Sequence, residues 1–337
     1  MIFLKPKFAS KKMTQHHIPV FIITGFLGSG KTTFINHFIK TNQTLRVLVI
    51  ENEIGKTNID GALLIQDQTD IRELTAGCLC CDLNEKLYDL LYELSQKKDA
   101  FDVLIIETTG IADPAAVAET FWTGGYMQKH YEIRSVICLA DAKNIINSLD
   151  QNEEARRQLT FADVVLLNKC DQAERDAINH IKNIISDIQP EIHIFEGSEG
   201  VFPIDQLINL DVHLTSKKEK MISDQSPSKT KKHQGIHTFT LTYEDAFDYR
   251  KLKHILMLLI NVNKQQIYRI KGILNIEGMD EKIILQSVYK SYRMEEGSPW
   301  AENEKRESKI VFIGHEVEKE SIDRVFKQCL AKASSDS

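Results

Sequence analysis

No apolar run in this chain approaches the roughly 18 residues of a membrane span, and the opening "MIFLKPKFASKKMTQHH" lacks the long apolar core of a secretory signal. A basic excess is missing too. Lys and Arg number 42 against 48 Asp and Glu, a formal net charge of -6, whereas proteins that coat nucleic acid usually concentrate positive charge on one domain or face. Nucleic acid and membrane are therefore not expected partners. Cysteine is scarce, with six in 337 residues, which excludes a disulfide-built scaffold. No internal repeat is evident. These absences leave a soluble intracellular protein, expected in the cytoplasm, with residues 1–17 as a loose basic tail in which Met13 is a possible second start.

What is present is enough apolar sequence for two cores, because 42% of the residues are hydrophobic and 27% charged over a length that exceeds one ordinary domain. Short apolar runs rich in β-branched residues recur: "VFIIT" (20–24), "RVLVI" (46–50), "DVLIIE" (102–107), "SVICLA" (135–140), "DVVLLN" (163–168) and "IHIF" (192–195). Segments of helical period lie between several of them, the clearest being 83–94, where Leu83, Leu87, Leu90, Leu91 and Leu94 share a face. Apolar strands alternating with helices predict an α/β domain over 18–215, with a mostly parallel sheet covered by helices on both faces. Residues 216–235 are rich in lysine and serine with no apolar period, and read as an exposed linker. Beyond it, 236–332 reads as a smaller α+β domain with a sheet and helices on one face. Its expected elements are strands at 236–243, 267–278, 282–292 and 308–314, a helix near 247–260, and a last helix from about 318.

Residues 25–32, "GFLGSGKT", satisfy G-x-x-x-x-G-K-[ST] directly after a predicted strand and at the opening of a predicted helix. In such a loop Gly25, Gly28 and Gly30 let the backbone curl until its N–H groups face phosphate oxygens. Lys31 then reaches the β and γ phosphates, and the Thr32 hydroxyl ligates Mg²⁺. The base is addressed by "NKCD" (168–171) at the end of a later strand. The Asp171 carboxylate can accept from both the ring N–H and the exocyclic amine of guanine, a donor pair that adenine lacks, so GTP is expected over ATP. Asn168 and Lys169 would shape and cover that pocket. In "IIETTGIADP" (105–114), Glu107 sits at a strand end where an acid can hold the Mg²⁺ shell, and Gly110 has the freedom to turn its N–H toward a γ-phosphate. Asp60 and Glu107 are the candidates for positioning the attacking water.

Three of the six cysteines, Cys78, Cys80 and Cys81, fall within four positions in "ELTAGCLCCDLNEKL" (73–87). Adjacent cysteines suit a structural disulfide poorly, and the helix that follows favours thiolate over thiol. Thiolates are ligands for Zn²⁺ and related ions, with the fourth position open or filled by water or by a nearby carboxylate such as Glu51 or Glu53 of "ENEIG". Packed or redox thiols are the alternative use. Cys138, Cys170 and Cys329 stand apart and read as structural.

In order, "GFLGSGKTT", "ENEIG", "GCLCC", "ETTGIADP", "NKCD", "RIKGIL" and "VFIG" resemble the CobW-like family of P-loop GTPases, and within it the YjiA type, over residues 18–330. The resemblance implies a GTPase, slow alone, that binds zinc or a related divalent ion and delivers it to a client metalloprotein as a metallochaperone or metal insertase. It carries Cys78, Cys80 and Cys81 over as metal ligands. It also marks the loop from Gly25 to Thr33, including Ser29, as nucleotide contacts together with Asn168, Lys169 and Asp171. Two departures from the family pattern stand out: Lys56 occupies a position where relatives often have an acid, and the interdomain run has lysines and only His233 where many relatives have several histidines. Two rival classes stay open at this level, a P-loop phosphotransferase and a regulatory GTPase whose cysteines are structural.

Overall fold

The computed structural model describes residues 17–52, 70–73, 82–96, 100–122, 125–190, 192–210, 231–233, 236–263, 266–288 and 291–331. All but the last residue of the expected basic tail, most of the linker, Glu53, Lys56, Asp60 and the three cysteines Cys78, Cys80 and Cys81 lie outside the described residues. By contacts the chain divides into two compact units, Met1–Ile185 with Glu191–Lys217 and Ser186–Pro190 with Lys218–Ser337.

The first unit runs β1 (Ile18–Thr24), α1 (Lys31–Thr41), β2 (Val47–Asn52), β3 (Asp70–Glu73), α2 (Asp82–Ser95), β4 (Val103–Thr108), α3 (Pro114–Trp122), α4 (Met127–His130), β5 (Tyr131–Asp141), α5 (Ile145–Gln151), α6 (Glu153–Phe161), β6 (Val164–Asn168), α7 (Arg175–Ile188), β7 (His193–Glu196) and α8 (Ile204–Ile208). Its strands form a seven-stranded sheet in the order β3-β2-β4-β1-β5-β6-β7, and all six neighbouring pairs are parallel. Every apolar run from the sequence becomes a strand because both faces of this sheet are covered. One face gathers Phe21, Ile23, Val49, Ile105, Ile137, Leu139 and Leu166 against Phe34, Ile35 and Phe38 of α1 and Leu207 of α8. The alternate residues Ile22, Ile50, Ile106 and Val165 are buried on the other face, where α3 meets β1 and β5 and α6 meets β5. The predicted helix at 83–94 is α2, with Leu87, Leu91 and Leu94 buried.

The second unit runs β8 (Lys231–His233), β9 (Ile236–Tyr243), α9 (Tyr249–Val262), β10 (Ile267–Leu274), β11 (Glu281–Val288), β12 (Ser291–Pro299), β13 (Ser308–His315) and α10 (Lys319–Lys327). Its strands pair antiparallel in the order β12-β11-β10-β13-β9-β8. Asp248 caps α9, accepting from the N–H groups of Arg250 and Lys251 at 2.9 and 3.0 Å. Leu252, Leu256 and Ile260, spaced one turn apart, then pack with Ile322 and Phe326 of α10 on Phe239, Leu241, Ile310 and Phe312. Both helices thus share one core with one set of strand residues.

Three readings change. The run 282–292 is two paired strands, β11 and β12, whose apolar character spans the connection between them. The end of the segment expected to be only linker forms β8, since backbone pairing with β9 needs no apolar side chain and lysine suits a sheet edge. The third is β3, "DIRE", which has no strand pattern in the sequence and is defined by its pairing with β2. Among the described residues no helix is long and apolar enough to cross a membrane.

Candidate functional site

The loop after β1 lies at the carboxyl end of the central strand, where the chain leaves β4 on one side of β1 for β5 on the other. In open α/β sheets this switch point is where ligands bind. Gly30 precedes α1 at φ 100° and Gly28 has φ 73°, both in the left-handed region that side chains resist. Space also selects glycine. A Cβ at Gly25 would sit 2.2 Å from the Leu139 carbonyl oxygen, and one at Gly30 would sit 2.4 Å from Asn168 Nδ2. The glycines therefore let the loop curl while β5 and β6 press against it.

Lys31, the first residue of α1, is buried, and its Nζ donates to the carbonyl oxygen of Gly25 at 2.9 Å, which folds the side chain back over the loop. Burial pushes its ammonium pKa down, against the opposing pull of the Glu107 carboxylate. Cys138, the register partner of Thr24, lies close enough to Lys31 to feel its charge. Burial pushes that thiol up to about 12, so it is a neutral packed group, in keeping with its structural reading. The Thr32 hydroxyl faces Glu107 across the β1–β4 boundary, 3.2 Å from Oε1 and 3.5 Å from Oε2. Such hard oxygen donors fit Mg²⁺, and Glu107 is in register with Ile23 of β1 and Glu51 of β2.

Gly110 touches the same loop: a Cβ there would lie 2.6 Å from Leu27 Cγ and 2.7 Å from the Leu27 nitrogen. Asn168, buried at the end of β6, donates through Nδ2 to the Ser29 carbonyl at 2.9 Å and accepts at Oδ1 from the Gly200 N–H at 3.1 Å. Lys169, left-handed at φ 61°, donates through Nζ to the Gly28 carbonyl at 2.8 Å and to Asp141 at 2.7 Å. Asp171, exposed in the tight turn Cys170–Gln172, donates its backbone N–H to Ser198 Oγ at 3.2 Å. Thr33 lies against the Gly200 backbone, where a Cβ would come within 2.9 Å of its methyl. The structure thus gathers Gly25, Gly28, Ser29, Gly30, Lys31, Thr32, Thr33, Glu107, Gly110, Asn168, Lys169 and Asp171 at one end of one sheet. Cys78, Cys80 and Cys81 lie outside the described residues.

Two contributors escaped the sequence reading. Asp141 ends β5 and is the register partner of Asn168. Burial raises its carboxyl pKa, but hydrogen bonds from Lys169, Asn144 and the Lys143 N–H outweigh that and leave it below the ordinary value. The other is the turn 197–200, where Glu199 and Gly200 take positive φ and the loop ties Asp171 to Asn168. Its only sequence signal is the pair of glycines in "GSEG" after β7.

A parallel sheet with a phosphate loop at its switch point, a Thr facing an acid on the next strand and an Asn-Lys-x-Asp strand end defines a P-loop GTPase. The nucleotide-binding domain of CobW/HypB/UreG matches residues 19–196 and the cobalamin synthesis protein CobW C-terminal domain matches 236–330; the chain belongs to this family. Among curated relatives, zinc chaperone YjiA of Escherichia coli is 29% identical over 313 residues, covering 92% of this chain and 98% of the relative. Zinc-regulated GTPase metalloprotein activator 1 of Saccharomyces cerevisiae is 27% identical over 94% of this chain and 84% of its own length. The crystal structure of Zn(II)-bound YjiA GTPase from E. coli superposes with a TM-score of 0.71 at 25% identity, covering 94% of this chain and 100% of that one.

Proposed function

We propose that this chain is a GTP-hydrolysing metallochaperone that binds zinc, or a related divalent ion, through Cys78, Cys80 and Cys81 and passes it to a client metalloprotein under nucleotide control. The observation that carries the coupling is one of register. Glu73, Glu51 and Glu107 are aligned at the carboxyl ends of three adjacent parallel strands, β3, β2 and β4. The segment bearing the cysteines follows Glu73, "ENEIG" starts at Glu51, and Glu107 faces Thr32. The strands that lead toward the nucleotide site and, further along the sequence, toward the cysteines therefore end side by side on one sheet, and the relatives named zinc chaperone and metalloprotein activator support zinc as cargo.

In this reading the loop from Gly25 to Thr33 wraps the phosphates, Lys31 meets the β and γ oxygens, and Asp171 reads guanine. Asn168 and Lys169 hold the loop against β6, as their bonds to Ser29 and Gly28 support. Thr32 and Glu107 would hold Mg²⁺, which when bound neutralises charge on the β and γ phosphates. The Gly110 N–H faces the terminal phosphate, so its loop rearranges on hydrolysis.

The test is zinc affinity in two nucleotide states. Competition titration against a chelating dye should show tighter zinc binding with a non-hydrolysable GTP analogue than with GDP, by about 5- to 150-fold, the size of a coupling of about 1–3 kcal/mol. Linkage requires zinc to strengthen analogue binding by the same factor. A triple Cys78→Ser, Cys80→Ser, Cys81→Ser variant should bind nucleotide, lose its one zinc per chain and lose the difference. Equal zinc affinities in both states would sink the coupling, and zinc retained by the variant would sink the ligand assignment.

A further inference from the structure

Gln158 belongs to α6, which no motif touches, yet it is one of the most thoroughly buried polar side chains of the described residues, at 1% exposure. Its Nε2 donates to two carbonyls of the loop after β4, Gly110 O and Ala112 O, both at 3.1 Å. The amide orientation is not arbitrary. Turned over, it would set its oxygen against two carbonyl oxygens, so the donor side must face the loop. One residue earlier on α6, Arg157 lies 3.6 Å from Asp113, whose carboxylate accepts the Ala115 N–H at the start of α3. Two successive residues of one helix thus grip the segment 110–113.

Packing alone does not account for a glutamine here. Its Oε1 is buried without a hydrogen-bond partner among the described residues, and so is Thr109 Oγ1 in the loop it grips. A buried acceptor without a donor is unfavourable, and methionine would fill a similar volume without it. The side chain keeps that cost in exchange for its two donors. The helix that carries it is itself fixed: the chain turns from α6 into β6 at Asp163, whose N–H donates to the Val136 carbonyl at 2.7 Å and whose carboxylate accepts the Val136 N–H at 2.9 Å. β6 then ends at Asn168, which holds the phosphate loop.

We propose that Gln158 is a positioning residue of the GTPase site: its carboxamide anchors the Gly110–Ala112 backbone to the α6–β6 corner and so sets the Gly110 N–H toward the terminal phosphate. It touches no nucleotide itself. The γ-phosphate loop and the phosphate loop are then referenced to the same rigid element. The inference rests on the reading that the Gly110 N–H faces that phosphate.

The experiment uses the full chain and Gln158→Met, with Gln158→Asn, which keeps the amide one methylene short, as a second variant should the first fail to fold. Affinities for GDP and for a non-hydrolysable GTP analogue are measured with kcat, KM and melting temperature. The ratio of analogue to GDP affinity should fall by about tenfold, the loss of one or two ordinary hydrogen bonds acting only on the γ-phosphate state. In the same variant kcat should fall, and KM for GTP should rise about as much as the analogue's dissociation constant, because KM follows Kd where chemistry is slow. If both nucleotides weaken in the same proportion, or the ratio stays within about twofold of wild type with only melting shifted, Gln158 is structural and the proposal is overturned. Hydrogen exchange over 108–113 in the wild-type chain separates the two failures. Slower exchange with the analogue than with GDP supports the Gly110 reading. Equal exchange overturns that reading and the anchor with it.

Discussion

Replacing Lys31 with methionine is expected to remove GTP hydrolysis and to leave the melting temperature of the chain unchanged or slightly raised. The two halves of that expectation come from the same feature. Lys31 is buried at 8% exposure and burial depresses its pKa, which records that the fold alone disfavours the charge. Among the described residues the ammonium makes one hydrogen bond, the 2.9 Å contact to the Gly25 carbonyl, and its attraction to the Glu107 carboxylate does not offset the burial. A charge held at such a cost is expected to serve a ligand. Charge-assisted hydrogen bonds contribute roughly 1.5–3 kcal/mol, so nucleotide affinity should drop by about 10- to 150-fold. Turnover should drop further, because negative charge on the transferring group is greatest in the transition state. Methionine keeps the stem and its packing, so melting curves and steady-state phosphate release measured together check both halves. Wild-type turnover in Lys31→Met would refute the phosphate-loop role of this residue.

The parts of the molecule that were legible in sequence share a physical cause. Strands such as "VFIIT" and "DVLIIE" stand out because helices cover both sheet faces, so nearly every residue must be apolar. The phosphate loop is legible because its conformation admits only glycine at φ 100° before α1. β3 was not, since a four-residue strand at a sheet edge is made by backbone pairing to β2, which leaves no mark on residue type. Nor was the Lys169–Asp141 pair, whose members are far apart in the chain and meet because β5 and β6 run parallel with Asp141 opposite Asn168. Gln158 is the sharpest example. A lone glutamine in a predicted helix carries no signal, and its meaning comes only from the two carbonyls it faces. Composition and spacing thus expose groups that touch ligands or fill cores, while groups that hold those groups in place are visible only in three dimensions.

Asp171→Asn should change which nucleotide the chain uses and leave its ability to use one intact. The residue is exposed, in a turn held by backbone contacts: its own N–H bonds to Ser198 Oγ, the Cys170 N–H donates to the Gly197 carbonyl, and the Gly197 N–H to Leu167. The carboxylate is therefore not what shapes the turn, and asparagine fits the same space. Its chemistry differs at one point. Aspartate offers two acceptor oxygens to the ring N–H and exocyclic amine of guanine, while asparagine turns one of them into an NH₂ that opposes a donor on the base. A site built to pair a polar group rejects a mismatched one strongly, so GTP affinity should fall by roughly 100-fold or more. Xanthine carries a carbonyl where guanine carries the amine, so xanthosine triphosphate should gain affinity and become the better substrate. The phosphate contacts proposed for Lys31 and Thr32 do not involve Asp171, so kcat with xanthosine triphosphate should approach that of wild type with GTP. Competition binding with GTP, ATP and xanthosine triphosphate on both proteins decides it. A variant that weakens all three alike would mean that Asp171 supports the turn, and ATP binding to the wild type as tightly as GTP would remove the guanine assignment, because adenine lacks the adjacent donor pair that the carboxylate is expected to accept from.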